Sequence, residues 1–234
     1  MRESHKKLLQ ICANFANDSY TQITVNSNEN IDQINEHTTD TIVYIITSED
    51  TVYITGPGSQ SATDWSLDFQ IWRTPVDYFD NSLVHTGFMK IYESIKIKLH
   101  QKLVAIFSLK NIKNIVCTGH SLFGAVSTII ACDCTNKYDS KKITCVTFGS
   151  PRVGNNEFAR YFNTHIDYSY RCVFAKDPIT FSPLPIRFKH VRGSISCDEK
   201  SARVVDTAEL SKWNCCGCQI AHHKMNSYMQ SFDN

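Results

Sequence analysis

The chain carries almost no charge imbalance, with 24 Lys and Arg against 23 Asp and Glu and a formal net charge of +1. A balance this close supplies no long-range field for nucleic acid or for an anionic membrane, so any contact with lipid has to be apolar and local. No apolar run approaches the roughly 18 residues of a transmembrane helix. No leader is legible either. After Met1-Arg2-Glu3-Ser4-His5-Lys6-Lys7 the apolar stretch from Leu8 to Ala16 is interrupted by Gln10 and Asn14, with no small-residue cleavage site. The expectation is therefore a cytoplasmic protein if the chain is complete, and a secreted one if a leader was removed. Internal repeats and linker-like shifts in composition are also missing. Residues 1–234 read as one domain, of which 1–40 form an N-terminal helix and a polar connection.

What is present is ordinary globular material, 42% hydrophobic and 20% charged, long enough for a sizeable core. Ten cysteines are many for this length. Cys117, Cys132, Cys134, Cys145 and Cys172 lie in or beside apolar segments, where a thiol behaves as a small buried hydrophobe. Cys215, Cys216 and Cys218, with Cys197 upstream, could hold one disulfide or a metal. Cys215 and Cys218 form a C-x-x-C pair with His222 nearby, but no second pair at standard spacing accompanies it, and no metal is expected.

Hydrophobic spacing predicts a helix over 4–16 and irregular chain with a short helix over 17–40. It then predicts a hairpin of strands at 41–47 and 51–55. Between 86 and 110, apolar residues at Phe88, Ile91, Tyr92, Ile95, Leu99, Leu103, Ile106 and Phe107 mark one buried helix face, with Lys96, Lys98 and Lys102 on its solvated side. Downstream, strands at 114–118, 143–148 and 168–175 alternate with helices at 121–132 and 155–163, and the tail from 220 to 232 reads as a closing helix. Such alternation predicts a parallel sheet covered by helices on both faces.

The segment Asn114-Ile115-Val116-Cys117-Thr118-Gly119-His120-Ser121-Leu122-Phe123-Gly124-Ala125 reads as strand, tight turn and helix with a serine at the apex. A sharp turn of this kind lifts the hydroxyl above the sheet and leaves the first backbone N–H groups of the helix free to hold negative charge. Small residues must flank the serine. Gly119 satisfies this two positions before it, whereas Phe123 stands where the G-x-S-x-G pattern has its second glycine.

Gly-His-Ser-Leu-Phe-Gly-Ala resembles the Gly-His-Ser-Leu-Gly-Gly-Ala motif of the class 3 lipases. Val84-His85-Thr86-Gly87-Phe88 is similar to that family's pre-helix motif, and Thr147-Phe148-Gly149-Ser150-Pro151-Arg152-Val153-Gly154-Asn155 to its strand-turn after the nucleophile helix. These similarities run from about residue 41 to 228 in the family's order. They imply an α/β-hydrolase fold, with a mostly parallel central sheet and helices on both faces.

The resemblance also implies a Ser, acid, His machine, because a neutral serine needs a histidine to take its proton and a carboxylate to fix that histidine. Ser121 is the expected nucleophile. Asp177, in Lys176-Asp177-Pro178-Ile179-Thr180, resembles the acid loop, with Asp167 and Asp206 as other candidates and a plain turn aspartate as the alternative role. The family's spacing of histidine to tyrosine selects His223, five residues before Tyr228, with His222 as the fallback. The oxyanion donors implied are the backbone of Leu122 and Ser59, the latter in Pro57-Gly58-Ser59, where Pro57 replaces the family's arginine. Residues 61–68 would form a short lid with Trp65 as its apolar element. The expected activity is hydrolysis of carboxylic esters, most of all acylglycerols, at a lipid–water interface and without a cofactor. The alternatives are an esterase for non-lipid esters or a lipase-like binding module in which Phe123 and Pro57 impair catalysis.

Overall fold

Strong β-branched runs pair first with their sequence neighbours, and that sets one end of the sheet. The computed structural model describes residues 2–59, 72–174, 176–198, 201–205 and 219–232. In chain order the elements begin with α1 (Glu3–Asp18), β1 (Glu29–Glu36), β2 (Thr41–Ser48), β3 (Thr51–Thr55), β4 (Arg73–Val76) and β5 (Ser82–His85). Then come α2 (Thr86–Leu109), β6 (Asn114–His120), α3 (Ser121–Lys137), β7 (Lys142–Phe148), α4 (Asn156–His165) and β8 (Tyr168–Phe174). The chain closes with β9 (Ser194–Cys197), β10 (Ala202–Val204) and α5 (Met225–Gln230).

The main sheet has the order β1-β2-β3-β6-β7-β8-β9-β10, and β4 pairs with β5 apart from it. Pairing is antiparallel for β1-β2, β2-β3 and β9-β10, and parallel from β3 through β9. The parallel centre has to be buried on both sides, and alternation along its strands shows how. Ile115 and Cys117 of β6 join a core with Ile95, Leu99 and Leu103 of α2 and Ile129 and Ile130 of α3. Val116, between them, faces Leu9, Cys12 and Ala16 of α1 and Tyr228 of α5. Each fully buried branched or aromatic side chain contributes about 1.5–3 kcal/mol relative to exposure. Helix α3 is apolar nearly all round and buried almost throughout from Ser121 to Cys134. It is therefore sunk between sheet and neighbouring helices rather than laid on a surface.

The predicted fold class, a mostly parallel sheet with helices on both faces, is the observed one, but some local expectations need correction. Residues 17–40 are not wholly irregular, because Glu29–Glu36 forms the edge strand β1 in antiparallel register with β2, Glu29 opposite Ser48 and Glu36 opposite Thr41. Its sequence is polar, with Ile34 buried and Ile31 partly exposed, the composition of a protected edge rather than a central strand. Lys98 and Lys102 do lie on the solvated side, and from it they reach across to Glu36 at 2.7 Å and Asp32 at 2.8 Å, surface ion pairs worth little in stability. The tail is no single helix, since a 3₁₀ turn at Ile220–His223 precedes α5. No helix among the described residues is long and apolar enough to cross a membrane.

Candidate active site

Three segments meet at the carboxyl ends of β6, β7 and β8, where open α/β sheets place their ligands. The first is the β6–α3 turn. Ser121 sits there with φ +56°, a left-handed conformation that costs an ordinary residue about 1–3 kcal/mol and persists only where packing enforces it. The enforcement is visible in Gly119. A Cβ at that position would come within 2.9 Å of the Phe123 backbone and 2.8 Å of its ring, so only glycine lets strand and helix approach this closely.

Phe123 itself is buried in the core at 1% exposure. Its ring fills the space that side chains at Gly56 and Gly119 would otherwise take, with ring carbons 2.5 Å and 2.8 Å from where those Cβ atoms would be. The Ser121 hydroxyl meanwhile keeps its partner, lying 2.7 Å from Nε2 of His223.

The second segment is the loop after β8. Asp177 is fully buried, and a buried carboxylate is tolerable only when its oxygens are matched by donors. Oδ1 accepts from the Ile179 N–H at 2.9 Å. Oδ2 accepts from His223 Nδ1 at 2.8 Å and from the Tyr228 hydroxyl at 2.5 Å. The loop is fastened in turn by Arg152, which donates to the carbonyls of Phe181 and Pro183, and by His190, which donates to the Thr180 carbonyl at 2.7 Å. Burial and the Asp177 charge push the Tyr228 phenol far above its ordinary pKa, so it remains a donor.

The third segment is the 3₁₀ turn carrying His223, 3% exposed. With Nδ1 committed as donor to a carboxylate, Nε2 is left to accept from Ser121 in the neutral ring. Gly149 closes the floor with φ +58°. A Cβ there would lie 2.8 Å from Asp177 Oδ2 and 3.1 Å from the His223 ring, so this glycine is required both by conformation and by space.

His120 adds a second imidazole, its centroid 4.5 Å from that of His223. Its Nε2 lies 2.6 Å from the His223 carbonyl and its Nδ1 2.7 Å from the Tyr20 hydroxyl. Burial, reinforced by the neighbouring His223, drives its pKa well below the ordinary 6.5. The ring is therefore neutral.

Of the expected site residues, Ser121 and Asp177 are each brought within hydrogen-bonding reach of His223. Leu122 lies in the first turn of α3 directly after Ser121, where backbone N–H groups lack intrahelical partners. Gly58, one residue before Ser59, abuts the serine so closely that an added Cβ would sit 3.0 Å from Ser121 Cβ. His222 does not point outward into water but stacks on Phe174 with centroids 5.2 Å apart. Asp167 lies elsewhere, accepting from the Ile143 N–H at the start of β7. Trp65 and the lid at 61–68, together with Asp206, Cys215, Cys216 and Cys218, fall outside the described residues. The seven described cysteines, Cys197 among them, are free and buried. Tyr228, His120 and Tyr20 were not read as site residues in the sequence. Tyr228 left a signal in its spacing from His223, and His120 in the motif around the serine. Nothing around Tyr20 announced it.

Sheet order, elbow and site position are those of an α/β-hydrolase. The chain matches the family described as Lipase (class 3) over residues 53–186, more than half its length, and it belongs to that family. Among curated relatives, the secreted mono- and diacylglycerol lipase 1 of Fusarium solani is 30% identical over 134 residues, 57% of this chain and 40% of that protein. The lipase of Rhizomucor miehei is 30% identical over 177 residues, 72% of this chain and 48% of that protein. The chain thus spans about half the length, or less, of these two relatives. The solved Rhizomucor miehei triacylglyceride lipase superposes with a TM-score of 0.84 at 21% identity, covering 95% of this chain and 94% of that one. A triacylglycerol lipase whose catalytic centre is described as a serine protease triad superposes at 0.82 and 20% identity, again over 95% and 94%. At these identities the structural likeness shows the fold.

Proposed function

We propose that this chain is a serine hydrolase that cleaves carboxylic esters of lipids, acylglycerols above all, through an acyl-enzyme. The observation that carries the reading is the unbroken hydrogen-bond path from Ser121 Oγ through His223 to the buried Asp177, at 2.7 and 2.8 Å. In the first step Ser121 Oγ attacks the ester carbonyl carbon and its proton passes to Nε2 of His223. The carbonyl π pair becomes an oxyanion facing the Leu122 N–H and the Ser59 donor. Collapse breaks the ester bond, and the departing alkoxide leaves as the alcohol with the proton from His223. Water then attacks the acyl carbon, gives a proton to His223 and, after collapse, releases the carboxylic acid while Ser121 recovers its proton. Asp177 holds the imidazole tautomer and stabilises the imidazolium throughout. The route needs no metal or organic cofactor.

Preference for lipid esters is supported by the named activities of the relatives and by exposed apolar side chains. Trp72, Leu184 and Ile186 are exposed at 69, 68 and 88%. Trp72 and Ile186 flank the contact of Arg73 Nη1 with the Arg187 carbonyl at 3.2 Å, which gathers apolar surface at one place. Trp65 is proposed to add to that surface as part of a lid over 61–68. The test compares hydrolysis of a short p-nitrophenyl ester below and above its solubility limit with hydrolysis of an emulsified mono- or diacylglycerol. A rate that climbs steeply with emulsion surface is expected. Turnover confined to the dissolved ester would replace the lipase reading with that of a soluble esterase, and no turnover of either with that of a binding module.

A further inference from the structure

We propose that Tyr20 and His120 are positioning residues that tie the oxyanion-side loop to the segment bearing His223. This rests on the hydrolase reading above and deepens it. Four residues distant in sequence form one path. The Gly58 backbone packs directly against the Tyr20 phenol oxygen, that phenol lies 2.7 Å from His120 Nδ1, and His120 Nε2 lies 2.6 Å from the His223 carbonyl.

The His223 end fixes the direction of both bonds. A carbonyl at His223 can only accept. His120 Nε2 therefore carries the ring proton, and Nδ1 is bare and accepts from Tyr20. The phenol is equipped for this, since burial pushes its pKa up to about 12 and keeps its proton in place. No other arrangement of protons satisfies all the groups of a neutral ring.

The geometry is tight as well as ordered. A Cβ at Gly58 would be 2.4 Å from the Tyr20 oxygen, 2.8 Å from the His120 carbonyl and 3.0 Å from Ser121 Cβ, so loop, bridge and nucleophile are in contact. Tyr20 is itself anchored just beyond α1, its N–H bonded to the Asn17 carbonyl at 3.2 Å, and α1 packs in one core with Val116 of β6 and Tyr228 of α5. Removing the phenol oxygen leaves His120 Nδ1 unmatched and takes away the atom against which Gly58 packs, which releases the donor loop relative to the base. Shifts of about 1 Å in such a constellation can cost on the order of 10²-fold in rate. Tyr20 lies outside the residues matched to the family, 53–186, so the N-terminal segment contributes to the site as well as to the core.

The experiment compares wild type, Tyr20→Phe, His120→Gln and the double variant, with kcat and KM measured on a p-nitrophenyl ester and Tm by calorimetry. Tyr20→Phe is expected to lower kcat about 10- to 100-fold with KM within about threefold. The double variant is expected to lose little more than the worse single one, because both substitutions cut the same path. A purely structural role would lower Tm and the yield of active protein but leave kcat per labelled serine unchanged. Wild-type kcat in folded Tyr20→Phe, or losses that multiply in the double variant, would overturn the bridge. Should Tyr20→Phe not fold, His120→Gln against wild type tests the path from its other end, and unchanged kcat there also overturns it. A wild type that neither turns over ester nor takes a fluorophosphonate sinks the hydrolase reading itself, a result distinguishable from failure of the bridge alone.

Discussion

Replacing Phe123 by alanine separates two views of the turn around Ser121. If a benzyl ring crowds the nucleophile, a smaller residue should speed the reaction. The packing points the other way. The ring is 1% exposed and occupies volume bounded by Gly56 and Gly119, in the core shared with β3, β6 and α3. Truncating a buried Phe to Ala forfeits its transfer free energy and leaves a void, about 3–5 kcal/mol in well-packed cores. For a domain of this size each kcal/mol lowers Tm by about 2–4 °C, so a fall of roughly 6–20 °C is expected. The catalytic rate of the folded fraction should not rise. Thermal unfolding followed by circular dichroism, with kcat normalised to fluorophosphonate-titrated serine, gives both numbers. An unchanged Tm together with a several-fold faster kcat would refute the packing account and restore steric obstruction. The mirror substitution, Gly56→Ala, sets a methyl 2.5 Å from the ring and 2.4 Å from the Ile42 carbonyl, and a loss of about 1–3 kcal/mol is expected from overpacking.

Tyr228→Phe removes a donor from a buried carboxylate. A stability loss of about 1.5–3 kcal/mol in denaturant titration is expected, and no loss would mean that the short contact to Asp177 carries no weight. Gly149→Ala forces a Cβ to within 2.8 Å of Asp177 Oδ2 at a left-handed φ, so hydrolysis should fall at least tenfold while the alcohol and acid products are unchanged. Wild-type activity in that variant would show the acid and base to be more adaptable than their packing suggests. Stability should also depend on pH through His120 and His190, both held well below the ordinary 6.5 by burial. A depressed folded pKa means that only the unfolded chain takes up protons near 6.5. The contribution is therefore full above that pH and is lost below it, with a slope of up to about 1.4 kcal/mol per pH unit for each histidine. Denaturant titrations between pH 5 and 6.5 should show this slope, and His120→Gln should flatten it by one proton's worth.

Legibility in the sequence followed the strength of local signals. Helix α2 and strands β2, β3, β6 and β7 were readable because their apolar residues repeat at periods set by geometry. The edge strand β1 was not, because its Glu, Asn, Asp and Gln side chains carry neither period, and its pairing is decided by the stronger β2 beside it. Strands β9 and β10, short and late, depend on the same kind of tertiary pairing. Ser121 could be found because a strand-turn-helix with a central serine is a local pattern. Asp177 and His223 required the resemblance, since nothing in a turn aspartate or in one of nine histidines marks its partner. Tyr20 was out of reach altogether. Its neighbours Gly58 and His120 lie about 40 and 100 residues away, joined to it only by folding.

Covalent labelling tests the central claim most directly. Purified protein is incubated with a fluorophosphonate, digested, and the modified peptide located by mass spectrometry, in wild type and in Ser121→Ala. A single phosphonylation on Ser121 is expected, accompanied by loss of ester hydrolysis and absent from the alanine variant. A wild-type protein that hydrolyses esters yet carries the label on another residue, or no label at all, would contradict the assignment of Ser121 as the nucleophile driven by His223 and Asp177.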